Sequence, residues 1–242
     1  MNGFELKFKA RLKKISEELN DIENFLRDNG IDIPNQNIPL KPDEKIRIPR
    51  RYIRTVHYFE QKYKLYDLLE DEVLVKNISY ALQASDLFNY ILNRFNIRLS
   101  VGKVFYKFAI INIFSIIESL LYGIANKCHS YCMVNNRVCK NNDSCNFYLK
   151  KANKYPFEKL LYTLSQKGLI RMPPELQNKL LKIKALRDNI HLWDVKNKDY
   201  FNDDYNLDNY NFLIKLLNIL KKDLNKALEN FEHNRNNNCN KR

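Results

Sequence analysis

The chain is predicted to be all-α. Five glycines and seven prolines in 242 residues leave long stretches without turn signals. Leu, Ile, Lys, Glu and Asn fill those stretches, and apolar residues recur at steps of three and four instead of alternating. A chain of this size can bury one substantial core, or one core and a small appendage. The expectation is one main helical domain, residues 51–232, behind an N-terminal helix and a connector.

The first helix is read over about Phe4 to Asp28, inside residues 1–30. Phe8, Leu12, Ile15, Leu19, Ile22 and Leu26 step by four and three, a coiled-coil-like seam that Asn29-Gly30 can end and that calls for a partner helix. Residues 31–50 hold four prolines and no helical period, so they read as an extended connector whose tail, "KIRIPRRYIR", is the most basic local cluster. Helical patterning returns near Tyr52 and runs to about Phe95 with a break near Asp71. Tyr58, Phe59, Tyr63 and Tyr66 fall at helical spacings there and read as packing residues, with a base-stacking platform as the less favoured use.

Val104 to Ile124, "VFYKFAIINIFSIIESLLYGI", resembles a membrane span in composition. Lys107 and Glu118 bracket only ten residues, too few for a bilayer, so a buried central helix over about Gly102 to Asn126 is expected. Beyond a cysteine-rich insertion, residues 128–145, come a short helix from Pro156 to Gln166 and a helix opened by Pro173 and Pro174. The latter turns Leu176, Leu180, Leu181, Ile183, Leu186 and Ile190 toward the core. The last helix carries Leu213, Leu217, Leu220, Leu224 and Leu228 on one face, and residues 233–242 read as a disordered tail.

A formal charge of +13 suits a polyanion partner, although the 33 asparagines and abundant Lys, Ile and Tyr also suggest an A- and T-rich coding sequence. Met1 to Lys14 alternates charged and apolar residues without an apolar signal region, so a cytoplasmic location with no membrane partner is expected. There is no G-x-S-x-G, no phosphate-cradling loop and no G-x-G-x-x-G, which sets aside dinucleotide enzymes and P-loop NTPases.

Cys128, Cys132, Cys139 and Cys145 lie within eighteen residues, with His129 beside the first. Clustered thiols in a reducing compartment favour metal over disulfide, and four thiolates would close a structural zinc site. The three, six and five intervening residues lack a C-x2-C pair, so ordinary thiols or a redox pair stay open as readings. No open-site pattern for catalytic zinc exists.

Chemistry concentrates in "KIKALRDNIHLWD". Arg187 and His191 are four apart at the end of an amphipathic segment, a spacing that puts a fixed cation and a titratable ring on one helical face. Such a pair can bind a phosphate and move a proton without a metal. The plainer reading is a surface arginine and a histidine capping a helix C-terminus.

"LRDNIHL", near the end of the penultimate helix of a small helical chain, resembles the active-site motif of the HEPN superfamily, whose members include RNases of toxin–antitoxin, abortive-infection and CRISPR systems. The family motif is an Arg, commonly followed by Asn, Asp or His, and then a His after four to six residues. Arg187, Asp188 and His191 match the residue types, with three residues in between. Arg50 and Arg51 precede His57 at spacings nearer the family pattern, but without the Asp and the buried helix.

The resemblance covers about residues 102–228 and implies a helical bundle whose N-terminal helix and Cys-rich loop are additions. It also implies a homodimer in which Arg and His of both copies face one RNA phosphodiester and the 2′-hydroxyl attacks phosphorus without a metal. His191 would then assist proton transfer, Arg187 would stabilise the phosphorane, and Asp188 would orient the site. Glu118, the lone acid on an apolar helix, and Asn189 are candidate supporting residues, and Arg50, Arg51 and Arg54 are candidate RNA contacts. No cofactor beyond structural zinc is implied, and an antitoxin or another defence protein is a candidate partner. The competing readings are a catalytically silent RNA-binding relative and a protein-interaction module using the two heptad-patterned terminal helices.

Overall fold

A computed structural model of the chain describes residues 3–30, 45, 52–97, 99–131, 133–134, 137–138, 149–188 and 203–238. The chain divides into two compact units, Met1–Arg50 and Arg51–Arg242.

The first unit contains α1, Gly3–Asp28. Gly30 follows at φ 74°, and its N–H donates to the Arg27 carbonyl at 2.9 Å, so the left-handed position falls on the residue that tolerates it best. None of the α1 residues is buried. Leu12, Leu19 and Leu26 are half-buried along one stripe, while Phe8, Ile15 and Ile22 beside them are exposed.

The described elements of the second unit are α2 (Val56–Lys62), α3 (Leu65–Leu68), α4 (Glu72–Arg94), α5 (Leu99–Tyr131), α6 (Phe157–Gln166), α7 (Pro174–Asp188) and α8 (Leu207–Asn238). A 3-10 turn, Ala152–Lys154, precedes α6. Met133–Val134 pairs antiparallel with Arg137–Val138, and this two-residue ladder is the only strand pairing among the described residues. The fold class is therefore all-α, as the spacing predicts.

The central helix α5 is the hub, packed against α4, α6, α7 and α8. Ala109, Ile110, Ile113, Phe114, Ile117, Leu121 and Ala125 are fully enclosed. A helix apolar on most of its circumference must be covered on most sides, and each large side chain buried here contributes about 1.5–3 kcal/mol. Helix α5 is long and apolar enough to cross a membrane, but 61% of its most apolar window is buried inside the protein, as in a core helix. It runs five residues past the expected end at Asn126, so Cys128 and His129 are helical and not part of a loop.

Polar residues on α5 are satisfied across the contact with α4. The Asn112 side-chain amide donates to the Ala81 carbonyl and to Ser85 Oγ, each at 2.8 Å. At Gly123 a Cβ would lie 2.3 Å from Leu69 Cδ2, so the missing side chain is what lets the end of α3 seat against α5.

The helix expected from Tyr52 is broken twice. Asp71 caps α4 by accepting from Leu74 N at 3.1 Å, which gives the expected break. A second break falls at Lys64, φ 48°, between α2 and α3. It turns Leu65 and Leu68 into the core while leaving Tyr66 outside. Phe59 is buried and Tyr63 packs against the core, as read, but Tyr58 and Tyr66 are exposed.

In α8, Tyr210, Leu213, Leu217, Leu220 and Leu224 are buried. The helix continues to Asn238, into residues 233–242 that the sequence reads as a tail. No Gly or Pro interrupts residues 229–238, and adding a residue to an existing helix is far easier than starting one. Residues 239–242 of that tail, and residues 31–44 and 46–50 of the connector, lie outside the described residues.

A charged cluster lies where α2, α4 and α8 meet. Asp86, 8% exposed, accepts from Arg54 N at 3.0 Å and from Arg54 Nε at 2.8 Å, with a further bond from the guanidinium. The Arg54 guanidinium lies over the rings of Tyr58 and Phe59 and is held firmly charged, first by its hydrogen bonds to Asp86. Lys221, also 8% exposed, has its ammonium 3.6 Å from the centre of the Tyr63 ring. Burial, aided by repulsion from Arg54, pushes that ammonium down to about 7, while Asp86 opposes the shift.

This gives a pH dependence of definite sign. The folded state holds the Lys221 proton less tightly than the unfolded chain, whose lysine titrates near the ordinary 10.5, so this lysine makes stability rise with pH between about 7 and 10.5. Lys221→Met is expected to raise urea-unfolding stability at pH 7 by about 1–3 kcal/mol and to flatten the rise between pH 7 and 9.5. Parallel pH profiles for both proteins would show that Lys221 is not the source.

Candidate functional site

The candidate site lies where the last turn of α7 crosses α5. Leu180, Ile183 and Leu186 recur at three-residue spacing and bury one stripe of α7. Arg187 follows Leu186 at the edge of that stripe, with its side chain 35% exposed. On α5, Ile117 and Leu121 are buried, and Glu118 between them reaches the edge of the same contact. The site therefore sits on the rim of the hydrophobic core and is fixed by it.

Arg187 Nη2 meets Glu118 Oε2 at 3.0 Å, and Nη1 meets Asp188 Oδ1 at 3.0 Å. Asp188 also accepts from Lys184 Nζ at 2.5 Å, one helical turn back. Two cations and two carboxylates alternate along this chain of contacts. Burial alone would raise the Asp188 carboxyl, but hydrogen bonds from Lys184 and Arg187 outweigh it and hold the group below the usual aspartate value. Asp188 in turn holds the Lys184 ammonium above its ordinary value.

Tyr122, one turn after Glu118 on α5, borders the cluster. Its phenol is raised by burial first and by the Glu118 charge second, and its hydroxyl donates to the Tyr155 carbonyl at 3.4 Å. The end of α7 is tied down from the other side, because the buried Tyr205 hydroxyl donates to the Leu186 carbonyl at 3.0 Å. A carbonyl of the last helical turn has no partner within the helix, so this bond satisfies it and fixes the backbone beside Arg187.

This arrangement presents a guanidinium of set orientation at the protein surface. Glu118 holds one terminal nitrogen and Asp188 the other, and a phosphate approaching the exposed face would compete with the more exposed Asp188 before Glu118, whose side chain is 19% exposed.

The expected site residues divide as follows. Arg187, Asp188 and Glu118 come together, over a 69-residue separation in the case of the Arg187–Glu118 pair. His191 and Asn189 lie outside the described residues, as do Arg50 and Arg51. Arg54 is bound to Asp86 of α4, away from the Arg187 cluster, with its side chain 41% exposed. His57 faces Glu60 at 3.5 Å.

Cys128 is buried on α5, while Cys132, Cys139 and Cys145 lie outside the described residues. His129 Nδ1 is 2.9 Å from the Leu149 carbonyl, a backbone contact. Among the described residues no three His, Cys, Asp or Glu side chains converge as a metal-binding group.

Sequence reasoning missed Lys184 and Tyr122. The Lys184–Asp188 pair follows the i, i+4 rule and was within reach of it. Tyr122 was read only as part of an apolar helix.

No family model, curated protein or solved structure matches this chain.

Proposed function

We propose that the chain is a HEPN-type, metal-independent endoribonuclease that acts as a cytoplasmic homodimer in antiviral defence or toxicity. The observation that supports this best is the Glu118–Arg187 contact at 3.0 Å. It joins the arginine of the "LRDNIHL" segment to the lone acid of the central helix, and each had been singled out from sequence on separate grounds. An arginine held by a carboxylate on a rigid helix is suited to meet charge that develops on a phosphoryl group, because its orientation is set before the substrate arrives.

In this reading the HEPN-like core spans residues 102–228, with α1 and the cysteine-rich segment as additions. His191 accepts the proton of the 2′-hydroxyl as its oxygen attacks the adjacent phosphorus. Arg187 stabilises the charge of the phosphorane, and the bond to the 5′-oxygen breaks as that oxygen takes the proton from the His191 imidazolium, which leaves a 2′,3′-cyclic phosphate and a 5′-hydroxyl. Asp188 and Glu118 hold Arg187 in place, and Asn189 lies within the same segment. Arg50 and Arg51 contribute positive charge for the RNA backbone. Structural zinc on Cys128, Cys132, Cys139 and Cys145 belongs to the same proposal and takes no part in the reaction.

The test is cleavage of single-stranded RNA by purified protein in EDTA, with product ends examined for cyclic phosphate. Cutting is expected to persist in EDTA and to disappear in the Arg187→Ala/His191→Ala protein. Cutting that survives the double substitution would refute the assignment. Salt-sensitive RNA binding without turnover would select the silent, RNA-binding relative instead.

A further inference from the structure

Helix α1 carries a feature that the nuclease reading does not use. Its charges cancel overall but are sorted along its length. Residues 3–15 hold Lys7, Lys9, Arg11, Lys13 and Lys14 against Glu5, a net +4, and residues 16–28 hold Glu17, Glu18, Asp21, Glu23 and Asp28 against Arg27, a net −4. A helix with no net charge is poorly suited to a nucleic-acid backbone. The apolar seam of Phe8, Leu12, Ile15, Leu19, Ile22 and Leu26 runs through both halves, and none of it is buried.

We infer that α1 pairs with α1 of a second copy of this chain as an antiparallel two-helix coiled coil. Phe8, Ile15 and Ile22 take one class of core position and Leu12, Leu19 and Leu26 the other, and antiparallel packing matches one class with the other. The layers are then Phe8 with Leu26, Leu12 with Ile22, and Ile15 with Leu19, each formed twice about a two-fold axis. The +4 half of each helix lies on the −4 half of its mate.

The flanking positions select the same direction. In the antiparallel register Lys9 faces Glu23 of the other copy, twice, and Arg11 faces Phe25. Glu18 meets its own copy near the axis, where Lys14, 3.8 Å from it on the same helix, offsets the repulsion. A parallel pair would set Glu18 against Glu23 twice and lay like-charged halves together, which opposes association.

The inference does not rest on the nuclease reading, since it uses no residue of the Arg187 site. It is tested on the whole 242-residue chain by sedimentation equilibrium with charge reversals at Lys9 and Glu23, both exposed positions whose substitution leaves the apolar seam intact. Lys9→Glu and Glu23→Lys are each expected to weaken self-association roughly tenfold, because two attractive pairs become repulsive. Mixing the two variants, or combining both changes in one chain, is expected to restore it.

The decisive comparison is Glu23→Lys alone, which weakens an antiparallel pair but strengthens a parallel one by turning Glu18–Glu23 repulsion into attraction. Tighter association of that variant would overturn the inference. So would unchanged association in both single variants, or a wild-type chain that stays monomeric at tens of micromolar, which would point to a different protein as the mate of α1. Absence of RNA cleavage by the unaltered chain, with the swap pattern intact, would count against the nuclease reading alone.

Discussion

Arg187→Ala is expected to lower RNA cleavage by about 10²–10³-fold, the usual consequence of removing one preorganised donor to a transition-state oxyanion. Folding should change little by comparison. The Arg187 and Glu118 side chains are 35% and 19% exposed, so the tie between α7 and α5 is partly screened and is worth about 1 kcal/mol or less. Urea melts of the variant check that loss of activity is not loss of structure.

Two companion substitutions separate charge from geometry. Arg187→Lys keeps the cation but loses the fork that Glu118 and Asp188 grip together, so RNA binding should survive better than turnover. Glu118→Gln keeps an acceptor and removes the charge, and a fall in kcat of about tenfold with little change in KM would mark Glu118 as positioning Arg187. A Glu118→Gln protein as active as the wild type would reduce that contact to a tie between helices.

Asp86→Ala should destabilise the second unit by about 1–3 kcal/mol. Asp86 is 8% exposed and takes the Arg54 backbone N–H, Arg54 Nε and a terminal guanidinium nitrogen. Removing it leaves Arg54 without its partner between two aromatic rings and removes the carboxylate that favours the Lys221 ammonium. The Arg54 side chain is 41% exposed, so water takes up part of the penalty of its lost partner.

The two sites are coupled through those charges. In the Asp86→Ala/Lys221→Met protein, one of the stranded cations is gone, so the combined loss should be smaller than the sum of the single effects. Chemical denaturation of the four proteins measures this directly. Strict additivity would mean that Asp86 acts on Arg54 alone and that Lys221 is stabilised by the Tyr63 ring without it.

The sequence alone determined the helical class, the identity of α5 as the core helix, and the approximate places of α4, α6, α7 and α8. Each of these follows from local rules: apolar period, Asp71 and the Pro173-Pro174 pair as start signals, and scarce glycine. The Arg187 segment and Glu118 were also legible one at a time, as a cation beside a histidine and as an acid on an apolar helix.

What only tertiary structure decided is which distant groups meet. Arg187 pairs with a residue 69 positions away and Arg54 with one 32 positions away. Local periodicity brings neither pair together, since such contacts arise when separate segments pack onto helices that the chain reaches by separate routes. The same packing set Arg54 against Asp86, made Cys128 part of α5, and pushed the Lys221 ammonium toward neutrality. Burial and the direction of a neighbour's charge are properties of the assembled core, and they are not encoded in the spacing of residues along the chain.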